Sequence, residues 1–169
     1  MLIRQENEKD FSAVYIVVQN AFASAAHSDG NEQDLVVALR SSKAFVPELS
    51  LVAEQDGRII GHILFTKAKV GSDTVLVLAP LSVLPAYQKQ GVGSALIREG
   101  HRIAKAAGYG YSLVLGSEHY YPRFGYIPAE EWGIEVPEGI PAVNFMAIRL
   151  REDAKPIRGS VTYPEEFGL

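Results

Sequence analysis

Hydrophobic residues in the first part of the chain follow helical spacing. Phe11, Val14 and Val18 recur every three or four residues, and this pattern predicts an amphipathic helix over residues 10–25. The same spacing returns in a shorter stretch and predicts a second helix over residues 32–40. The chain therefore begins with two helices that each bury one face.

Period-two and continuous hydrophobic runs replace the helical spacing in the middle of the chain. Residues 51–54 and 58–65 flank Asp56-Gly57, a dipeptide typical of a tight hairpin turn. A third run, rich in β-branched residues, predicts a buried strand over about residues 74–84. Pro47 is expected to end the preceding helix, so the first strand of the hairpin is placed after it.

The buried central strand is followed by a glycine loop and a helix. Gly91 and Gly93 open a segment with helical spacing, and Gly108 is placed to end it. The next hydrophobic run, residues 111–115, predicts a strand parallel to the central one, because a helical crossover joins parallel neighbours. Antiparallel hairpins combined with one parallel pair predict an α+β fold with a mixed sheet flanked by helices.

Composition fits one domain and excludes several chemistries. The chain has 169 residues, of which 47% are hydrophobic and 21% charged. It has no cysteine, which excludes disulfides, thiolate metal sites and cysteine nucleophiles. We expect residues 1–150, ending with a strand at 143–150, to form the domain, and residues 151–169 to form an extension of unassigned structure that packs on it.

Charge and targeting features favour a cytoplasmic protein. The formal net charge is −4, so we expect neither nucleic acid nor a membrane as a partner. The first ten residues are charged where a signal peptide needs an apolar run, and no stretch is long enough to span a membrane.

The stretch from strand to glycine loop to helix is typical of a phosphate site. The first backbone N–H groups of a helix have no intrahelical partner, and the helix dipole adds positive charge there. Glycine permits close approach of an anion because it has no Cβ. The alternative is an ordinary loop between strand and helix whose glycines only relieve crowding. A dinucleotide fingerprint and a Walker loop are both excluded, because Leu96 and Ser94-Ala95 stand where those motifs need glycine and Lys-Ser/Thr.

Two motifs identify a family resemblance. The segment Gln88-Lys89-Gln90-Gly91-Val92-Gly93 resembles the Q/R-x-x-G-x-G/A signature of the GNAT acetyltransferase superfamily. About thirty residues later, Tyr121-Pro122-Arg123-Phe124-Gly125-Tyr126 resembles the second motif of that superfamily. The wider pattern is similar to its YhbS-like branch of acetyltransferases. The resemblance implies a GNAT-like sheet whose parallel strands splay apart at the coenzyme A site.

The resemblance also implies the cofactor residues and the reaction. An acceptor amine would attack the thioester carbonyl of acetyl-CoA directly, with a backbone N–H near Val83 polarising that carbonyl. Backbone groups of the central strand would hold the pantetheine arm, and the glycine loop would surround the pyrophosphate. The implied cofactor contacts are Leu81, Ser82, Val83, Gln88, Lys89, Gln90, Gly91, Val92, Gly93, Ser94, Tyr121 and Phe124.

The resemblance places a general acid at Tyr121. Its phenol would protonate the departing thiolate, and the reference pKa values, roughly 10 against roughly 8.5, suit that transfer. Packing against the cofactor is the alternative role for Tyr121. Tyr120 is the weaker candidate, because it is one residue away from the matched position.

The general base and the acceptor site are predicted only from side-chain types. Glu54 and His62 on the hairpin are base candidates, and a histidine has the most suitable intrinsic pKa. Glu32 and Glu118 are candidate contacts for a cationic acceptor, and Glu32, Glu118 and His119 are further base candidates. The four histidines lack metal-ligand spacing, so we expect no metal.

Three questions stay open at this stage. The acceptor is a small-molecule or protein amine, or an O-acceptor, and the acyl group is acetyl or longer. A non-catalytic CoA-binding sensor or partner-binding module with the same phosphate site is the competing interpretation. A homodimer through exposed edge strands is compatible with the predicted sheet.

Overall fold

A computed structural model describes residues 1–23 and 28–169. The predicted end of the first helix, residues 24 and 25, and His27 lie outside the described residues. In chain order the elements are β1 (Leu2–Gln5), α1 (Phe11–Phe22), α2 (Glu32–Arg40), β2 (Phe45–Gln55), β3 (Arg58–Val70), β4 (Asp73–Val83), α3 (Val92–Ala106), β5 (Tyr111–Leu115), β6 (Ile127–Pro128), β7 (Phe145–Arg149) and β8 (Val161–Thr162).

The strands form one mixed sheet in the order β1-β2-β3-β4-β5-β7-β6, and β8 pairs with β3. Every described pairing between these strands is antiparallel except that of β4 with β5. Helix α3 is the crossover between these two parallel strands. The predicted α+β architecture, with one parallel pair in a mostly antiparallel sheet, is confirmed.

The hairpin of β2 and β3 turns where the sequence predicts. Asp56 and Gly57 have φ values of 53° and 76°, the left-handed pair that a tight two-residue turn requires. The start of β2 differs from the prediction, because the strand begins at Phe45 and includes Pro47. The ladder to β3 is irregular between Phe45 and Ser50, so the missing N–H of the proline interrupts no regular pairing there.

The two faces of the sheet carry different helices. A Cβ on Gly61 would lie 3.0 Å from Val92 and 3.1 Å from Leu96, so Gly61 faces α3. Because side chains alternate along a strand, His62 lies on the opposite face. Helix α2 lies on that face, because its Arg40 donates a hydrogen bond to Glu6, whose carboxylate lies beside His62. We call these the α3 face and the α2 face.

Strands β4 and β5 pair over only a short distance. The register joins Leu76 to Ser112 and Val77 to Leu113, and no further pairs follow toward their carboxyl ends. The ladder of β3 and β4 shifts at the same level, because Ile63 pairs with Leu81 but Phe65 pairs with Leu78. The extra residue of β4 therefore interrupts its ladder near the level where its pairing with β5 stops. We call the resulting space the β4–β5 gap.

The last residues return to the body of the sheet. Strand β8 pairs with β3 through Lys69 and Thr162. The rings of Tyr163 and Phe167 lie 5.5 Å apart, and Ser42 donates a 2.9 Å hydrogen bond to Glu166. Across the described ranges, no helix has the length and apolar character needed to cross a membrane.

Candidate functional site

The glycine loop presents the unpaired start of α3. Gly91 is the N-cap with φ of 86°, and Lys89 also has positive φ at 62°. The Ala95 N–H donates a 3.0 Å hydrogen bond to the Gly91 carbonyl, the first such bond of the helix. The amides of Val92, Gly93 and Ser94 come before it and have no partner within the helix. These N–H groups and the helix dipole form an anion-binding arrangement.

Two glutamine side chains hold the loop in place. Gln88 donates a 3.1 Å hydrogen bond from Nε2 to the Val83 carbonyl, which ties the loop to the end of β4. Gln90 donates a 3.1 Å bond from Nε2 to the Ala86 carbonyl. In this structure both side chains therefore act as scaffold for the loop.

A cleft of about 590 Å³ lies over this loop. It brings together eight of the predicted cofactor residues with Tyr87, Tyr120 and Arg123. Of the other predicted cofactor residues, Ser82, Gln90, Tyr121 and Phe124 do not line it. The lining residues are Leu81, Val83, Tyr87, Gln88, Lys89, Gly91, Val92, Gly93, Ser94, Tyr120 and Arg123.

Tyr120 explains why position 93 is glycine. A Cβ on Gly93 would lie 2.6 Å from the Tyr120 hydroxyl, so any larger residue would displace that ring. The Arg123 guanidinium lies 5.0 Å from the Tyr120 ring centroid, and the Phe124 ring packs edge-on at 5.2 Å. The sequence motif begins one residue later, at Tyr121, and only the fold shows that Tyr120 lines the cleft.

Tyr121 lies deeper, beside the end of β5. A Cβ on Gly116 would overlap the Tyr121 ring, and Tyr121 packs edge-on against Tyr126 with centroids 5.7 Å apart. Burial raises the pKa of Tyr121, so its phenol keeps its proton. Tyr126 in turn bonds Ser112 at 2.9 Å and His101 at 3.0 Å, which anchors this aromatic group to β5 and α3.

The ladder alternation decides which backbone groups face the gap. Leu84 donates its N–H to the Ile60 carbonyl at 2.9 Å. Hydrogen-bonded pairs recur every second residue in an antiparallel ladder, so Ser82, two residues earlier, directs its backbone groups toward β3. The N–H and C=O groups of Leu81 and Val83 then point toward the β4–β5 gap.

Of the two predicted base candidates, Glu54 is already engaged at the surface. Its carboxylate accepts a 2.8 Å bond from Arg4, which also pairs with Asp10 at 2.8 Å. The side chain of Glu54 is 30% exposed. It therefore belongs to a partly solvated ion-pair network with no contact to the cleft.

His62 is fully buried on the α2 face and belongs to a polar group. Its Nε2 lies 3.0 Å from Ser50 Oγ, and Ser50 bonds the carboxylate of Glu6. Glu6 pairs with Arg40 of α2 at 2.5 Å. Burial lowers the pKa of His62 to about 4, Glu6 opposes the shift and Arg40 adds to it. No spacing in the sequence could indicate this group, because its members come from separate elements.

The two predicted acceptor contacts have local partners. Glu32 accepts bonds from Ser28 Oγ at 2.7 Å and from the Asp29 N–H at 3.1 Å, just before α2. Glu118 accepts a 2.5 Å bond from Asn144, and its own backbone N–H and that amide lower its pKa. Neither residue lines the cleft.

No group of three or more potential metal ligands comes together within residues 1–23 and 28–169. A second groove, of about 600 Å³, lies at the other end of β3 between Lys43, Lys67 and Tyr163. It contains neither the glycine loop nor the β4–β5 gap. The cleft over the start of α3 is therefore the candidate functional site.

Known proteins resemble this chain over most of its length. Escherichia coli YhbS, an uncharacterised N-acetyltransferase, is 33% identical over 171 residues, covering 99% of this chain and 98% of YhbS. E. coli YjhQ, also an uncharacterised N-acetyltransferase, is 43% identical over 115 residues, which are 65% of this chain and 64% of YjhQ.

Solved structures show the same likeness. A GNAT family acetyltransferase from Brucella melitensis, crystallised with acetyl-CoA, superposes with a TM-score of 0.81 at 35% identity, covering 98% of this chain and 97% of its own. YhbS from E. coli, crystallised with CoA, gives a TM-score of 0.88 at 30% identity, covering 99% and 92%. The acetyltransferase (GNAT) family model matches residues 15–126. With this match and these relatives, the chain belongs to the GNAT acetyltransferase family.

Proposed function

We propose that this protein transfers the acetyl group of acetyl-CoA to an acceptor amine by direct attack in a ternary complex. One observation carries the proposal: the unpaired amides at the start of α3 open into a cleft that reaches the β4–β5 gap. This arrangement joins an anion site to free strand backbone, which are the two features that a pyrophosphate and a pantetheine arm require. The acetyl-CoA and CoA complexes of the two structural relatives support it.

The donor would lie along the α3 face. The amides of Val92, Gly93 and Ser94 would bind the pyrophosphate, with Lys89 and Arg123 adding positive charge at the cleft. The backbone groups of Leu81 and the N–H of Val83 would pair with the pantetheine arm as a strand would, whereas the Val83 carbonyl already accepts a hydrogen bond from Gln88. A free N–H of β4 would then polarise the thioester carbonyl.

The reaction is a substitution at the thioester carbonyl. The amine nitrogen forms a bond to the carbonyl carbon, the carbon–sulfur bond breaks, and the thiolate takes a proton. We assign that proton to Tyr121, whose phenol is held neutral beside the end of β5. Tyr120 is the second candidate, because its hydroxyl lies in the cleft against Gly93.

The acceptor must lose its proton before or during attack, and we propose His62 as the base, with Glu54 as the second candidate. Its imidazole is neutral near pH 7 because of burial, whereas Glu54 is engaged by Arg4. Glu118 stays ionised and is proposed to contact the cationic acceptor, and Glu32 is retained as a second contact near α2. The acceptor class includes small molecules and protein amines.

We further propose residues 1–150 as the catalytic domain and 151–169 as an extension that adds β8 to it. We place the protein in the cytoplasm, and a homodimer would form through an edge strand such as β1. An O-acceptor, a longer acyl chain, or CoA binding without turnover are the alternatives to amine acetylation.

Calorimetric titration with acetyl-CoA, and separately with CoA, tests the proposal first. We expect micromolar binding, or about −8 kcal/mol, with about one site per chain. A panel of alkyl, amino-acid, polyamine and peptide amines, followed by thiol release, then tests turnover. Absence of binding to both ligands would contradict the donor site, and binding without thiol release from any amine would favour the sensor alternative.

A further inference from the structure

A buried tyrosine beside the proposed acid is fixed from two sides. Tyr126 is only 1% exposed, and its hydroxyl has two hydrogen-bond partners. Ser112 Oγ on β5 lies 2.9 Å from that hydroxyl, and His101 Nε2 on α3 lies 3.0 Å from it. One partner is enough to satisfy a buried tyrosine, whereas this one is held between a strand and a helix. We call Ser112, Tyr126 and His101 the tyrosine anchor.

Counting hydrogen atoms gives each partner in the tyrosine anchor its role. Burial lowers the pKa of His101 to about 4, so its ring is neutral near pH 7 and carries one N–H. If Ser112 donates to Tyr126 and Tyr126 donates to His101 Nε2, each hydroxyl hydrogen has an acceptor. The opposite direction would leave the hydrogen of fully buried Ser112 without an acceptor in the described part of the chain. Ser112 is therefore the donor to Tyr126, and His101 is the acceptor.

The ring of His101 is held as well. It stacks on Phe65 of β3, with ring centroids 6.0 Å apart and ring planes at 28°. A Cβ on Gly100 would lie 2.8 Å from the Phe65 ring, so this glycine allows α3 to come close to the sheet. The tyrosine anchor thus joins α3, β3 and β5, and the position of Tyr126 is set by all three.

The hydroxyl of Tyr121 has no comparable support. Among residues 1–23 and 28–169, it has no hydrogen-bond partner, and it is not one of the three fully buried polar atoms that lack one. It is therefore open to an incoming group. The direction in which it points depends on how the ring of Tyr121 packs.

Tyr126 forms one wall of the space that holds the Tyr121 ring. The two rings meet edge-on, with centroids 5.7 Å apart and planes at 78°. Tyr120 makes a second edge-on contact at 5.2 Å, and the backbone of Gly116 forms the third wall, because a Cβ there would overlap the ring. Of the two neighbouring rings, Tyr126 is the one whose hydroxyl is bonded to the sheet and to α3.

We propose that Tyr126 is a positioning residue for proton transfer to the CoA sulfur, and that the tyrosine anchor fixes the direction of the Tyr121 hydroxyl. This inference rests on the proposed function. In that step the oxygen–hydrogen bond of Tyr121 breaks, a sulfur–hydrogen bond forms, and the phenolate regains a proton from water. The donor must lie within hydrogen-bond reach of the sulfur, and a displacement of about 1 Å is costly. The anchor supplies this precision, because the Tyr121 hydroxyl has no bond of its own.

The first test is spectroscopic and needs no acceptor. In protein labelled with carbon-13 in the tyrosine rings, Tyr126→Phe should shift the Tyr121 resonances and speed the flipping of its ring. Tyr111→Phe is the matched control, because Tyr111 is 4% exposed and donates a 2.9 Å hydrogen bond to the Lys155 carbonyl, at the other end of β5. It should leave the Tyr121 resonances in place. Unchanged Tyr121 resonances in Tyr126→Phe would overturn the proposal.

The second test is a double-mutant cycle with an amine that releases thiol in the panel described above. Tyr126→Phe should lower kcat about fivefold with an unchanged KM for acetyl-CoA, because the variant moves the acid and leaves the donor site intact. In the Tyr121→Phe background the same change should cost nothing further, because no hydroxyl is left to position. Tyr111→Phe should keep the wild-type kcat. A loss of equal size in both backgrounds would show a general structural role and refute the proposal.

Variants of the two partners complete the cycle. His101→Leu removes the acceptor of the Tyr126 hydrogen, whereas His101→Gln keeps an acceptor oxygen on the side chain. We expect His101→Gln to retain more of the wild-type kcat than His101→Leu. Equal kcat values in these two variants would contradict the role of the hydrogen bond.

The two tests separate this inference from the proposed function. If acetyl-CoA binds but no amine releases thiol, the proposed function fails, and the Tyr121 resonances still decide whether Tyr126 holds that ring. If amines react and Tyr126→Phe keeps the wild-type kcat, the positioning role fails and the proposed function stands.

Discussion

The glycine loop and a buried row of polar side chains, which we call the polar row, lie on opposite faces of the sheet and are built in opposite ways. The polar row consists of Glu6, Ser50, His62 and Ser82. The loop is a contiguous stretch, from Gln88 to Ser94, whose function depends on backbone conformation. The polar row takes single side chains from four strands or their ends, and its hydrogen bonds depend on how those strands pack. The comparison teaches that an anion site can be encoded locally, whereas a buried polar group needs the whole sheet.

The largest expected effect is a loss of stability when the Arg40–Glu6 ion pair at the end of the polar row is removed. Arg40→Met would leave Glu6 buried without its cation, and we expect the free energy of unfolding to fall by about 3–5 kcal/mol. Urea denaturation measures this loss. Arg102→Met is the control, because Arg102 pairs with Glu99 at the surface and its loss should change the free energy of unfolding little. Equal losses in the two variants would contradict the comparison.

The next effect is a loss of CoA affinity when the glycine loop is changed and the polar row is left intact. Gly91→Val places a side chain into the cleft beside the free amides, and we expect the Kd for CoA to rise about 100-fold, or about 2.7 kcal/mol. Gly108→Val is matched, because Gly108 also has positive φ at an end of α3, with open space around it. Calorimetry should show unchanged CoA affinity in that control, although both variants lose about 1–2 kcal/mol of stability.

A third prediction concerns the pH dependence of the unfolding free energy, which distinguishes buried His62 from a histidine at the surface. The pKa of His62 is lowered to about 4 in the folded state from about 6.5, so the unfolded chain binds the extra proton between these values. The unfolding free energy should therefore fall as pH drops from 7 to 5, by about 2 kcal/mol through this group.

Urea denaturation at the two pH values measures that slope. His62→Gln should reduce the loss by about this amount, if the variant folds. His119→Gln is the control for the loss of a histidine as such, because the side chain of His119 is 86% exposed. A slope unchanged in His62→Gln would show that His62 is not held neutral by burial.

The smallest expected effect sharpens the assignment of the acid. Tyr121→Phe should lower kcat about tenfold, or about 1.4 kcal/mol, with little change in the KM for acetyl-CoA, because the proton is needed mainly in the transition state. Tyr120→Phe serves as the paired variant, since its hydroxyl lies in the cleft against Gly93. A larger loss of kcat in Tyr120→Phe would transfer the role to Tyr120.

Much of the architecture was predictable because its signals are short-range. The spacing of apolar residues placed α2 at residues 32–40, and Asp56-Gly57 placed the hairpin turn. The strand, glycine loop and helix around Gly91 follow the order that the sequence predicts. The start of β2 at Phe45 was missed, because Pro47 is normally unfavourable in a strand and only the irregular ladder accommodates it.

Parts of the candidate site were also predictable. The loop residues that line the cleft lie within one motif, so the family resemblance could assign them. The engagement of Glu54 by Arg4 and the burial of His62 could not be predicted, because each depends on partners distant in sequence. The orientations of Tyr120 and Tyr121, one toward Gly93 and the other toward Gly116, likewise required the folded chain.

By itself, the sequence determined the α+β class, the family and the anion-binding loop, because hydrophobic period, turn chemistry and glycine conformation act over a few residues. Only the tertiary structure decided which polar groups share the core. Glu6, Ser50, His62 and Ser82 are separated by up to 76 positions in the chain, and the strand register alone brings them into one row. Hydrogen bonds act over about 3 Å, and no sequence spacing reports that distance between strands.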